Sequence, residues 1–197
     1  MYWQLGCVAG AIGLPPSRTD IGSRAATVNG QTTPTMKLSS GAHWASGTRT
    51  RKVGFDFGGG VVYERSDAVA NTAKAGTSII KQDLGGYLEG SRRIHASPLT
   101  RTWLGARAEV LRDLGTRGVT MSLAGRVSWE LYGGVSGGGA DSTGKGFAMI
   151  LGHGTFAIGS YVESGVRMTP DSQAEFLLSA GLSVRMPGWI LMGVGFK

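Results

Sequence analysis

The chain has 197 residues, 41% of them hydrophobic and 17% charged, with a formal net charge of +7. That is enough for one sizeable domain. A mean hydropathy of +0.00 and the lack of any apolar run near ~20 residues exclude a helical membrane protein, and the apolar content excludes a disordered chain. A single cysteine, Cys7, excludes an internal disulfide, and the 34 glycines follow no three-residue period, which excludes collagen.

Residues 1–34 carry no sustained period. Pro15-Pro16, Asn29-Gly30 and Pro34 punctuate them, so they are expected to form an irregular N-terminal arm or plug. Leu5-Gly6-Cys7 has the outline of a lipidation site, but Gln4 stands where a hydrophobic residue is required, and Cys7 reads as an ordinary thiol.

From 35 to 197 the apolar residues recur every second position, the mark of strands with two unlike faces. Eight strands are expected, with eight to ten admissible: about 35–46, 52–64, 78–90, 99–113, 119–132, 147–168, 174–186 and 189–197. The fifth is the clearest. Val119, Met121, Leu123, Gly125, Val127, Trp129 and Leu131 take one face, and Thr120, Ser122, Ala124, Arg126, Ser128, Glu130 and Tyr132 the other. In the fourth, Trp103 and Leu111 interrupt the polar face. In the sixth, His153-Gly154 offers a turn that splits it in two. Sequential strands with short connections predict an antiparallel meander that closes on itself, an all-β up-and-down barrel.

The polar faces decide which side of that barrel is wet. They are crowded with Gly, Ala and Ser, which a narrow lumen needs and a water-facing surface does not. Their ionisable residues carry both signs. Asp56, Arg101, Arg107, Glu109, Arg126, Glu130, Glu163, Arg167 and Arg185 are expected to form an ionic network that fills the lumen, since each would be expensive there unpaired. The apolar faces, flanked by aromatics such as Trp44, Tyr63, Trp129, Trp189 and Phe196, then meet lipid, and the strands reach the ~9–11 residues needed to cross a bilayer. A soluble lipocalin-like barrel with the same alternation and the opposite polarity is the alternative.

Connection lengths divide the two rims. Turns near 113–118 and 169–174 fall on one; the Gly-rich loop 133–146 and the basic turns 46–51 and 91–98 fall on the other. Arg49, Arg51, Arg92, Arg93 and Lys145 on that second rim are candidate contacts for lipopolysaccharide phosphates.

The strand pattern over about 36–197, with a last strand WILMGVGFK built on Gly193 and alternating hydrophobics up to Phe196, resembles the small outer-membrane β-barrels of Gram-negative bacteria, such as the OmpA transmembrane domain and its relatives. Lys197 departs from that family's terminal aromatic. The resemblance implies an outer-membrane location and an architecture, not an activity.

Motifs for chemistry are weak. Gly139 to Gly146 nearly spells a phosphate-binding loop, but Gly146 stands where Ser or Thr must hold magnesium. His43, His95 and His153 have no partner at metal-ligand spacing. His95-Ala96-Ser97 with Glu109 matches part of a lipid A hydrolase pattern and lacks the rest. No catalytic residue, metal or cofactor is therefore assigned. The expected function is a non-enzymatic structural, surface or partner-anchoring role in the outer membrane, with a lipid A-modifying hydrolase and a narrow channel as further alternatives. Expected partners are outer-membrane lipid and lipopolysaccharide, and another membrane or periplasmic protein through residues 1–34. Nucleic acid is not expected, for want of an exposed aromatic platform.

Overall fold

The structure, a computed structural model, describes residues 8–13, 17–28, 31–45, 54–69, 78–97, 99–133, 136–140, 146–151, 156–169, 174–186 and 189–195. Among them are twelve strands and no helix: β1 Val8–Gly13, β2 Ser17–Val28, β3 Gln31–Ala45, β4 Phe55–Val69, β5 Ser78–Ala96, β6 Thr100–Asp113, β7 Val119–Gly133, β8 Ser136–Ala140, β9 Gly146–Leu151, β10 Phe156–Met168, β11 Ala174–Met186 and β12 Trp189–Gly195.

Eight of these close into an antiparallel barrel in the order β2-β3-β4-β5-β6-β7-β10-β11, with β11 pairing back onto β2. The remaining four form a sheet in the order β1-β12-β9-β8. Each of those four is the chain neighbour of a barrel strand, and the order matches β2-β11-β10-β7. Pairing that stops at Met186↔Ser17 in the barrel resumes at Trp189↔Gly13 in the sheet. The sheet therefore repeats the neighbour relations of four adjacent barrel strands at one rim. That second rim also takes the 46–54 and 97–99 connections. The first rim takes 29–30, 70–77, 114–118 and 169–173.

Alternation is as strict as the two-residue period requires. Along β7, exposure and burial alternate at every position from Val119 to Gly133. Outside stand Ile21, Leu38, Val61, Leu88, Leu104, Leu123, Val127, Val162 and Leu182, all largely exposed; inside are buried Arg, Lys, Asp and Glu. Exposed aromatics sit toward the second rim (Trp44, Phe55, Phe57, Trp129), with Phe176 toward the first. Among the described residues the inside also holds a small apolar cluster of Val62, Tyr87 and Leu111.

Three expectations need correction. Residues 17–28 are a barrel strand, not part of an irregular arm. Their outward residues (Thr19, Ser23, Ala25) are too small and polar to give a hydrophobic beat, and the pairing to both β3 and β11 wins. The segment 189–195 pairs with β1 and β9 and is no barrel strand; β11 already has β2 as its neighbour, so no edge is left for it. The span 147–168 is two strands, β9 in the sheet and β10 in the barrel.

Glycine earns its place at the closing seam. A Cβ on Gly22 would lie 2.4 Å from the Ala180 carbonyl oxygen and 2.5 Å from Tyr161 Oη. The Tyr161 ring reaches over β11 from β10, and only a residue without a side chain on β2 leaves room for it.

Candidate functional site: the charged lumen

The inward faces of all eight strands meet in one continuous ionic network. At the second rim, Glu130 on β7 accepts from Trp103 Nε1 on β6 at 2.8 Å and from the Tyr132 hydroxyl. Arg185 on β11 bridges Glu130 Oε1 at 3.2 Å and Asp56 Oδ2 on β4 at 2.6 Å. Arg18 on β2 reaches the same Asp56 oxygen at 3.4 Å and also pairs with Glu89 on β5. His43 completes this layer, with Nδ1 3.5 Å from Asp56 and Nε2 3.0 Å from the Tyr87 hydroxyl.

Midway down, Asp20 on β2 accepts from Arg107 Nη1 at 3.1 Å and from Arg126 Nη1 at 3.0 Å. Arg107 Nε donates to Glu109 at 2.7 Å, and Arg126 donates to Glu163 at 2.7 Å. Lys37 Nζ then ties the two carboxylates together, 2.6 Å from Glu109 and 2.7 Å from Glu163. Arg24 pairs with Glu109 at 2.7 Å and with Glu64, and its Nε donates to Ser179 at 2.9 Å. Toward the first rim, Arg167 joins Glu64 at 3.2 Å and Asp83 at 3.1 Å, and Lys81 lies 3.6 Å from Asp83.

Aromatic rings fill the spaces between the ions. The Arg107 guanidinium lies 3.7 Å from the Tyr87 ring centre and that of Arg126 lies 4.0 Å from Tyr161. Such stacking is favourable where water is scarce. An interior of an eight-stranded barrel is just wide enough to be filled by side chains, and here it is filled by salt bridges and rings.

Of the residues expected in the lumen network, the structure joins Asp56, Arg107, Glu109, Arg126, Glu130, Glu163, Arg167 and Arg185 through ion pairs. Arg101 is buried among them in a different way, its guanidinium 3.8 Å from the Tyr132 ring centre. Arg18, Asp20 and Arg24 join the network from outside that expectation, because β2 lacks the outward apolar beat that marks a strand. Yet the signal was present. Arg18, Asp20, Gly22 and Arg24 repeat at period two, an inward face without an apolar outward face to announce it. Lys37, Glu64, Asp83 and Glu89 also belong to the network and lie on faces already read as polar.

The rim residues separate. Arg92 is exposed on β5, but Arg93 is buried, with its guanidinium 5.8 Å from the Trp103 ring centre. The expectation that Arg93 meets outside phosphates is therefore corrected: β5 runs to Ala96, and alternation turns Arg93 inward. Arg49, Arg51 and Lys145 lie outside the described residues.

The hydrolase-like trio is not assembled. The Ser97 hydroxyl is held in the 97–100 turn, 2.7 Å from the Thr100 hydroxyl and accepting from Thr100 N at 2.9 Å. Glu109 is committed to Lys37, Arg24 and Arg107. It lies seven residues along β6 from Thr102, the register partner of His95, about 23 Å at ~3.3 Å per residue. Among the described residues no group of His, Cys, Asp and Glu is placed to hold a metal ion.

Among the described residues the buried charges comprise nine Arg and Lys against eight Asp and Glu, so the described lumen is close to neutral.

No known protein family matches the chain, and no curated protein matches it.

Proposed function

We propose that the protein is a membrane-spanning β-barrel of the bacterial outer-membrane type, with a structural, surface or partner-anchoring role and no catalytic one. The observation that carries this reading is the polarity of the wall: exposed Leu, Val, Ile, Met and aromatic side chains outside, buried ion pairs inside. In water that arrangement exposes a large apolar surface and buries charges at a desolvation cost. In a bilayer the outer face meets lipid, and the ion pairs are sheltered inside. A lipocalin-like barrel requires the opposite polarity. The aromatic residues near the two ends of the outer wall fit interfacial positions.

An exposed basic residue supports a second element of the reading: Arg92 faces outward at the second rim. Arg pairs phosphate bidentately, and lipopolysaccharide presents phosphates at the outer leaflet's surface.

Detergent phase partition of the folded protein tests the reading. The barrel is expected in the detergent-rich phase and to resist alkaline extraction from membranes; recovery in the aqueous phase overturns it. The same protein in planar bilayers is expected to show no unitary conductance, since ion pairs cross the lumen between facing strands. Steady conductance steps contradict a closed lumen and support the channel.

A further inference from the structure

Near the first rim the apolar belt of the outer wall ends on polar and charged residues. Outward residues along β4 run Phe57, Val61, Tyr63, Arg65, and along β6 they run Leu104, Val110, Arg112. Arg65 and Arg112 are both exposed. This sets the level at which a lipid headgroup would replace acyl chain.

Beside Arg65 the outer wall is indented. A groove of about 520 Å³ is lined by Gly22, Ser23, Pro34, Thr35, Met36, Tyr63 and Arg65. It runs along one cross-strand line, Ser23↔Met36 between β2 and β3 and Met36↔Arg65 between β3 and β4. The indentation has a cause in sequence. β2 presents the small Ser23 at the outward position after the exposed Ile21, and Ser23 lies opposite Ala180 on β11. Small residues on two adjacent strands leave a trough beside the larger Met36 and Tyr63.

We propose that this groove binds one anionic glycerophospholipid, its phosphodiester on the Arg65 guanidinium and one acyl chain laid over Met36 and along the Ser23 trough. The wall is mostly apolar, one guanidinium stands at its polar end, and the groove opens sideways onto the space the membrane occupies. A phosphodiester fits the planar fork of Arg, and a single acyl chain fits a trough bounded by thioether and ring. The proposal rests on the membrane-barrel reading. It adds that the two rims grip different lipids: the basic second rim a phosphate-bearing surface, the first rim one phospholipid from its flank.

Native mass spectrometry of the detergent-purified barrel with added phosphatidylglycerol or phosphatidylcholine tests it. The wild-type protein is expected to keep one phosphatidylglycerol through detergent removal and to keep phosphatidylcholine less well. Arg65→Gln is expected to weaken retention roughly tenfold, the loss of one charge-assisted contact. Ser23→Leu fills the trough from the outside, without touching the lumen, and is expected to weaken it as well. Arg112→Gln, at an exposed arginine that does not line this groove, is expected to change nothing. Equal retention by Arg65→Gln, an equal loss in Arg112→Gln, displacement of the lipid by excess inorganic phosphate, or a protein dimer in place of the lipid adduct overturns the site. Partition into the aqueous phase overturns the membrane reading instead, so the two failures are distinguishable.

Discussion

β2 and β12 are opposite cases. β12 has the hydrophobic beat of a membrane strand, Ile190, Met192 and Val194, and carries no ionisable residue. β2 has almost no outward beat, yet its inward face carries Arg18, Asp20 and Arg24. The barrel takes β2 and leaves β12 outside. Membership of this barrel follows the charges a strand brings to the lumen more closely than the grease it offers outward. A physical reason is available. An apolar outward face gains little by choosing one neighbour over another in lipid, whereas a lumen carboxylate left without its cation is costly.

The largest expected effect is therefore on β2. Arg24→Ala removes one of the cations shared by Glu64 and Glu109, which keep Arg167, and Lys37 with Arg107. Breaking a buried pair from one side costs about 3–5 kcal/mol, and the remaining cations put the expected loss at the lower end. Urea unfolding of the barrel in detergent is expected to show that loss, and the Arg24→Ala/Glu64→Ala double variant is expected to lose less than the two singles summed. Unchanged stability in Arg24→Ala would remove the role given to the lumen charges. Glu163→Gln comes next. It keeps the shape of the side chain but discharges the partner of Lys37 and Arg126, and a loss of roughly 2–4 kcal/mol is expected, below that of full truncation. Truncation before Trp189 is expected to cost the refolded barrel less than either substitution, because β12 pairs only with β1 and β9. A barrel that no longer closes without β12 breaks the comparison.

Much of the architecture was legible in the sequence, and the exceptions are instructive. β3 through β7, β10 and β11 announce themselves because apolar residues recur on the outward, every-second-position face, as in Val127, Trp129 and Leu131. β2 is silent by that measure, since Thr19, Ser23 and Ala25 face out. The ionic pattern could be expected as a set from alternating signs on the polar faces. Its pairings could not, because Arg126 and Glu163 meet only through the register of β7 on β10. Arg93 illustrates a boundary error: placed in a turn it faces phosphate, but with β5 extended by a few residues it faces the lumen.

The smallest effects belong to the turn between β6 and β7, where neither polarity nor charge pairing is at stake. Arg117 adopts a φ of 64°, the left-handed region, so Arg117→Gly is expected to stabilise by about 0.5–1 kcal/mol. Asp113 Oδ1 accepts from Gly115 N at 2.7 Å and from Thr116 N at 3.1 Å. Slight burial opposes ionisation of Asp113, and the Thr116 and Gly115 N–H groups outweigh it, holding the carboxyl below its usual range. Its contribution is then fully present above the ordinary carboxylate pKa and is lost as pH falls through the depressed folded value. Asp113→Ala is expected to flatten that part of the acid-stability curve while leaving the neutral-pH fold intact; an unchanged acid limb contradicts the assignment.

The polarity of the wall is tested most directly by neighbouring positions on one strand. In a Cys7→Ser background, Val127→Cys and Ser128→Cys place a thiol on opposite faces of β7, one exposed and one buried. A membrane-soluble thiol reagent is expected to label position 127 in lipid vesicles and to leave 128 unlabelled. Labelling at 128 with protection at 127 contradicts a barrel with its charges inside and its apolar face in the bilayer.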